Sequence, residues 1–511
     1  MNEAKDFLKE RILVEISLSE ELKKINYPLA PIIRQMGMGF LSRKEILNNA
    51  EKIKQKLELL KNSAKEEEKQ GIEDALNYFS SYIPKRQNDS SEQKAEGKNF
   101  RVINSWNIPS RKLTVDDFVK YFQARFSELR GILQSHGSLA NLTSIGKISN
   151  QKQDLSIIGM VRNKRMTKNK NVMLELEDMN NKINVLVYHG KEELIEKSKS
   201  IVLDEVIGIS GNGNNEIIFA KDIVFPEISG SVKTLSKDEE YAVFTSDIHL
   251  GSNKFIEDKF LNFLSWINGE VGSEEQKALS KKVRYLFIIG DTVDGVGVYP
   301  GQAERLTMPN LKDQYAKLAE YLGTIRKDIT IFLSPGQHDA SRIAEPQPPI
   351  DREYAEGLYN IENLVLVSNP ALIEIAKSHE KGIKVLMYHG ASFHSLIDDI
   401  EELRMSKAHD NPTKVSKHVL RKRHLAPQHS TTDHLPVPEI DPLVIREVPD
   451  IMATGDLHRP DVDTYGPVLL IASSCWQHIT EFEEKVGNHP DPCKVPILNL
   501  KTGKVNILDF S

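Results

Sequence analysis

The sequence predicts an α+β chain of several domains: a helical N-terminal region, a small β-barrel of the OB type and a C-terminal α/β sandwich. Three observations carry this. Apolar residues recur at helical spacing within residues 1–84, a period of two takes over between about 153 and 228, and from about 238 onward strand-like apolar runs alternate with helical patterns. With 511 residues, 39% of them hydrophobic, the chain can build about three cores.

In residues 1–84, Leu8, Ile12 and Ile16 repeat every four positions, and Leu41-Ser42-Arg43-Lys44-Glu45-Ile46 combines a capping box with a hydrophobic staple. Ile46, Ile53, Leu57 and Leu60 continue the stripe, giving either a small helical bundle or a module that docks on another subunit. Residues 85–110 are expected to be a flexible linker, since Lys85 to Lys98 is polar throughout. A helical connector over 111–150 starts at Thr114, capped with Asp117, and aligns Phe118, Phe122, Phe126 and Leu129 for core packing.

Residues 151–230 contain five short strands, Leu155 to Val161, Val172 to Leu176, Ile183 to Tyr188, Val206 to Ser210 and Glu216 to Ala220, the number an OB-type barrel requires. Its first hairpin carries Arg162, Lys164, Arg165, Lys168 and Lys170, either a solvated turn or an arm that tracks a phosphate backbone. The remaining domain, 238–511, includes a second basic stretch with Lys414, Lys417, Arg421, Lys422 and Arg423, a candidate strand-binding segment.

The formal net charge of −6 means that any nucleic-acid partner must be met by local basic patches and metals. Cys475 and Cys493 lack CxxC spacing, which argues against a disulfide framework or zinc ribbon and fits a reducing compartment. The N-terminus has no apolar leader and no stretch approaches the roughly 18 apolar residues of a membrane span, so a cytoplasmic protein is expected.

Five segments of the C-terminal domain end an apolar run with metal-seeking side chains: Asp247-Ile248-His249, Gly290-Asp291-Thr292-Val293-Asp294, Gly336-Gln337-His338-Asp339, Tyr388-His389-Gly390 and Gly455-Asp456-Leu457-His458. Each follows a strand-like run, and in α/β sheets ligands gather beyond the carboxyl ends of strands, so the five can converge. Carboxylates and imidazoles suit Mn, Zn or Fe, and an Asp can bridge two ions about 3.5 to 4 Å apart. Any one segment alone is more often a self-satisfied loop; five in order at strand ends point to a two-metal phosphoesterase site.

With a barrel followed by Phe244-Thr245-Ser246-Asp247-Ile248-His249-Leu250-Gly251-Ser252, Tyr299-Pro300-Gly301-Gln302, Pro335-Gly336-Gln337-His338-Asp339-Ala340, Glu345-Pro346-Gln347-Pro348, Arg423-His424-Leu425-Ala426-Pro427 and Val448-Pro449-Asp450-Ile451, the chain resembles the small subunits of archaeal family D DNA polymerases over about 110–511. The resemblance implies a calcineurin-like metallophosphoesterase sandwich and a 3′-to-5′ proofreading exonuclease acting on single-stranded and primer-template DNA. It also implies a separate large subunit that holds the polymerase centre. By it, one divalent ion, Mn with Mg, Zn or Fe as alternatives, is held by Asp247, His249, Asp291 and His458. The other is held by Asp291, Gln337, His389 and Asp456; His338 protonates the departing oxygen, and Asp339 orients its imidazole. Gln337 stands where the family typically has Asn, and Asp456 where it typically has His. Both departures fall on the second ion, which leaves a scaffolding subunit with weakened catalysis as the alternative; a small-molecule or protein phosphatase is disfavoured by the barrel and the linking motifs.

Overall fold

The computed structural model describes residues 99–511 apart from 136, 229, 231–232, 378–380 and 487, and scattered positions before 98. The chain divides into two compact units, Met1–Glu92 and Gln93–Ser511. In the first unit Ile53, Leu57, Ile72 and Ala75 are helical and buried, as an apolar stripe demands. Where a helix was expected, Leu13–Val14 (β1) instead pairs in parallel with Phe40–Leu41 (β2). The stripe members Leu8, Ile12, Ile16, Ile46 and Leu60, the capping box and most of the 85–98 stretch lie outside the described residues.

The second unit opens with Glu96–Gly97 (β3) and Phe100–Ser105 (β4), strands within the segment expected to be a linker. The reason is tertiary. β4 pairs antiparallel with a strand of the C-terminal domain, Ala371–Ile375, and Phe100 is buried edge-on against Phe332 at 5.2 Å. A short run with one anchoring aromatic gains its stability from a partner far away in sequence.

Helix α1 (Val115–Ser135) begins where Thr114 donates its backbone N–H and hydroxyl to Asp117 Oδ2, both at 2.8 Å. Phe126, Leu129 and Leu133 of its apolar face pack on Ile158, Met160 and Val206 of the barrel. The barrel is closed, in the order β5 (Gln153–Met166), β6 (Val172–Glu177), β7 (Lys182–Val187), β9 (Ile217–Val224), β8 (Val206–Gly213). Strict alternation puts Val172, Leu174, Leu176, Ile183, Val185 and Val187 inside it.

Two sheets form the C-terminal layers. The six-stranded one runs β13 (Leu364–Leu366), β12 (Thr330–Ser334), β11 (Val283–Ile289), β10 (Tyr241–Thr245), β19 (Lys494–Asn499), β20 (Val505–Asp509). The seven-stranded one runs β17 (Asp461–Tyr465), β18 (Val468–Ala472), β16 (Ile451–Thr454), β15 (Ile383–Tyr388), β14 (Ala371–Ile375), β4, β3. Phe244, Phe287 and Phe332 of the first sheet stack in the space between the two, against Ile373, Val385 and Ile451 of the second. Helices cover both outer faces, so apolar strands are buried on two sides. Among the described residues no helix is long and apolar enough to cross a membrane.

The barrel, α1 and the sandwich share buried ionic contacts. Arg125 of α1, fully buried, donates to Asp441 Oδ2 (2.7 Å), the Pro427 carbonyl (2.8 Å) and the Tyr121 hydroxyl (2.7 Å), and Asp441 also holds His424 Nε2 at 2.8 Å. Lys422, on the helix Thr413–Lys422, reaches into the barrel to Glu205 and to the Ser200 carbonyl. Charges removed from water in this way are tolerated only because each is paired and hydrogen-bonded.

Candidate metal centre

All five motif segments leave the carboxyl ends of strands at one edge of the two sheets. β10, β11 and β12 lie side by side in parallel, and β15 pairs in parallel with β16. The loops are stitched across: Asp247 N–H donates to the Gly290 carbonyl and His249 N–H to the Asp291 carbonyl, each at 3.0 Å, and Gly455 N–H donates to the His389 carbonyl at 2.9 Å. Asp247, His249, Asp291, Asp456 and His458 all have positive φ, between 48° and 68°. Non-glycine residues accept that strain only where the surroundings enforce it, and it clusters at functional sites. A Cβ on Gly336 would collide with Asp291 Oδ1, so glycine is what lets the β12 loop approach that carboxylate.

The expected ligands converge. His458 Nε2 lies 3.3 Å from Asp247 Oδ1 and 3.3 Å from His249 Nε2; His389 Nε2 lies 3.3 Å from Asp291 Oδ2 and 3.8 Å from Asp456 Oδ1. Three sets offer ligand atoms within 4.8 Å of one another: Asp247 with His249 and His458, His249 with Asp291 and His338, and Asp247 with Asp291 and His389. The far nitrogens of His458 and His389 are committed to acceptors, while His249 Nδ1 is buried without a hydrogen bond. His458 Nδ1 faces Glu483 Oε1 at 2.8 Å, His249 Nδ1 faces Asp294 Oδ1 at 3.4 Å, and His389 Nδ1 donates to the Ile289 carbonyl at 2.8 Å. A proton held on His458 Nδ1 leaves its Nε2 lone pair pointing at His249 Nε2, 3.3 Å away, a spacing at which one cation could accept from both nitrogens.

Electrostatics point the same way. Burial works against a charge on His389, yet the carboxylates of Asp291, Asp247 and Asp456 push its pKa well above the ordinary imidazole value. Asp291 is held far below the carboxylate range, burial being outweighed by the charges of His389 and His338. Asp247 Oδ1, Gln337 Oε1, His389 Nε2 and Asp456 Oδ2 are buried without a hydrogen-bond partner. Buried polar atoms in native proteins nearly always have partners, so four orphans in one pocket fit divalent cations held by oxygen and nitrogen donors. Gln337 Nε2 donates to Asp456 Oδ1 at 3.1 Å, so the two residues that depart from the usual pattern meet each other.

Several expectations change. Asp339 does not orient the His338 imidazole. Its carboxylate is consumed by Thr292 N–H (3.1 Å), Gly336 N–H (2.9 Å) and the hydroxyls of Thr292 and Tyr315, which pin the β11 and β12 loops together. His338 Nδ1 is held instead by the Asp294 carbonyl at 2.8 Å, and its backbone N–H supports Asp291 Oδ1 at 2.8 Å. The basic residues expected at a DNA backbone divide. Lys422 is buried on Glu205; Arg423, also buried, donates to the carbonyls of Ile445 and Arg446. Arg421 stacks over Phe225 at 4.0 Å, so this stretch joins the barrel to the sandwich. Lys164 is tied to the carbonyls of Lys199 and Ile201, and burial lowers its pKa to about 8. Arg162, Arg165 and Lys168 are exposed. Sequence reasoning missed Glu483, whose carboxylate is locked by Thr480 N–H and hydroxyl at 2.8 Å each; the capping-box spacing Thr480-Glu481-Phe482-Glu483 marks it as a helix start and says nothing of His458.

The centre opens into a cavity of about 560 Å³ bounded by His338, His458, Val298, Tyr299, Arg305 and Asn488, among others. Residues 242–463 match the family that comprises the B subunits of DNA polymerases alpha and epsilon. The chain is 39% identical over 398 residues to the DNA polymerase II small subunit of Methanothermobacter thermautotrophicus, covering 78% of this chain and 80% of that protein. It is 37% identical to the same-named proteins of Pyrococcus furiosus (80% of this chain, 66% of that protein) and Archaeoglobus fulgidus (75% of each).

Proposed function

The chain belongs to the archaeal DNA polymerase II small-subunit family, and from that premise we propose that it is the metal-dependent 3′-to-5′ exonuclease of the polymerase, assembled with a large subunit. The closed barrel is read as an OB fold and the two-sheet domain as a calcineurin-like metallophosphoesterase sandwich. The observation that carries the reading is the pair of facing Nε2 atoms of His249 and His458, 3.3 Å apart, beside four partnerless buried ligand atoms.

Asp247, His249, Asp291 and His458 would hold one divalent ion, and Asp291, Gln337, His389 and Asp456 the other; manganese suits the mixed donors, with magnesium, zinc or iron as alternatives. When bound, the ions neutralise the phosphodiester and make an attacking water acidic near neutral pH. His338 then acts as general acid. Its Nδ1 proton is fixed by the Asp294 carbonyl, so Nε2 is the atom that delivers a proton to the departing 3′-oxygen. The products are a 5′-mononucleotide and a strand one residue shorter with a free 3′-hydroxyl.

The test is end-labelled single-stranded DNA incubated with manganese and wild type, His338→Ala or Asp291→Ala. Stepwise shortening from the 3′ end, abolished by either substitution, supports the nuclease. A second reading, a scaffolding subunit with weakened catalysis, draws on the Gln337–Asp456 hydrogen bond, in which two ligand positions satisfy each other. It predicts no shortening by wild type while binding to the large subunit persists.

A further inference from the structure

The cavity is lined next to His338 by a short loop, Val298-Tyr299-Pro300, none of whose side chains is a candidate cation ligand. We propose that Tyr299 is the stacking platform for the base of the penultimate nucleotide, the one whose 3′-oxygen leaves; this deepens the exonuclease reading and rests on it. The placement follows from His338. A general acid must reach the leaving oxygen, so the nucleoside that carries this oxygen lies beside it. The Tyr299 ring centroid is 6.2 Å from that of His338, and Tyr299 is half-buried along the cavity wall.

The ring is braced. The Arg305 guanidinium lies 6.0 Å from its centroid and is tied to Glu481 at 2.8 Å. The loop hangs from Gln302, which accepts from Val298 N–H at 2.9 Å and donates to Asp294 Oδ2 and to the Asp294 carbonyl, the atom that also fixes His338. Platform and acid therefore share one anchor. The cavity also has a polar atom to spare: Asn488 lines it, 5% exposed, with Oδ1 buried and unpartnered. A volume of about 560 Å³, one aromatic wall and one spare polar group suit a nucleobase and exceed what a bare phosphate needs.

The test compares wild type with Tyr299→Ala and Tyr299→Phe, using the full-length chain complexed with the large subunit. The substrates are single strands carrying no abasic site, one at the 3′-terminal position or one at the penultimate position. Stacking of a base on an aromatic ring predicts that Tyr299→Ala loses about ten- to hundredfold in kcat/KM, mostly through KM, and that Tyr299→Phe restores it. A penultimate abasic site should cost wild type a similar factor and cost Tyr299→Ala little further, whereas a terminal abasic site should affect both proteins equally. The abasic arm on wild type needs no variant to fold. Wild type that shortens intact DNA without regard to the penultimate base overturns this inference alone, as does a Tyr299→Ala protein still sensitive to it; wild type that shortens no DNA overturns the nuclease reading as well.

Discussion

Replacing Glu483 by Gln removes the charge behind His458 and one of the two acceptor oxygens, and the consequence can be worked out. Glu483 Oε1 lies 2.8 Å from His458 Nδ1, while Oε2 accepts twice from Thr480. Burial raises the Glu483 pKa, but the His458 and Thr480 contacts prevail and hold it at about 2, so it is a carboxylate at any working pH. A hydrogen bond to a charged partner contributes about 1.5–3 kcal/mol and a neutral one about 0.5–1.5. Glu483→Gln keeps one acceptor oxygen for His458 but sets its amide NH2 against the Thr480 N–H, so at least roughly 1–1.5 kcal/mol of support for the tautomer that aims Nε2 at Asp247 and His249 is lost. Manganese affinity should therefore fall about tenfold, and Glu483→Ala, which leaves Nδ1 unpaired, should approach a hundredfold loss. Calorimetric titration of manganese into the full-length chain measures both. If Glu483→Gln binds within twofold of wild type while His458→Ala is clearly weakened, the orienting role of the carboxylate is refuted.

Gly336→Ala should lower stability by about 1–3 kcal/mol and nuclease rate by about a hundredfold or more, because a Cβ there overlaps the Asp291 backbone and carboxylate and small misplacements in a reactive centre are costly; a fully stable, active variant would contradict the packing. Arg125→Met should destabilise by about 3–5 kcal/mol in chemical denaturation by taking the buried positive charge from Asp441 and the donors from the Pro427 carbonyl and the Tyr121 hydroxyl, and Arg125→Met/Asp441→Leu should stay destabilised because it also strips His424 Nε2 and the Leu443 N–H of their acceptor. The buried imidazole of His424 titrates at about 4, chiefly because of burial and then the Arg125 charge. The unfolded chain takes that proton first, near pH 6.5, so stability is full above that value and falls by up to about 3 kcal/mol as pH drops towards 4; urea midpoints should slope across this window, less steeply in His424→Gln. Gln337→Asn and Asp456→His should each weaken manganese binding about tenfold, with the double variant less impaired than the sum because the two side chains touch; strict additivity would deny the coupling.

The strands that carry the centre were legible because each is short, apolar and followed at once by turn-forming and polar residues. Tyr241–Thr245, Val283–Ile289, Thr330–Ser334, Ile383–Tyr388 and Ile451–Thr454 each stand just before one of the five motif segments. The five barrel strands stand where the period-two pattern put them, and most extend further. Interactions without a local signature were not legible. Phe100–Ser105 looks like linker because its partner lies in Ala371–Ile375. Lys422 and Arg423 look like a nucleic-acid contact because charge shows in sequence and burial does not; Glu205 and the Ile445 carbonyl, their partners, are remote. Asp339 follows the proposed acid directly, yet the loop after Thr330–Ser334 turns its carboxylate towards Thr292 and Tyr315.

Backbone strain and the two unusual ligand positions belong to one argument. With Asp247, His249, Asp291, Asp456 and His458 in left-handed conformations at the ends of packed strands, ligand atoms are positioned by the sheets and have little freedom to adapt. A lone substitution that changed ligand length would then open a gap or a clash. Here the two changes oppose each other: glutamine is one methylene longer than asparagine, aspartate is shorter than histidine, and their side chains meet at 3.1 Å. Under the proposed reading, the Asp456 carboxylate 3.8 Å from His389 Nε2 supplies negative charge that would favour a hard divalent ion there.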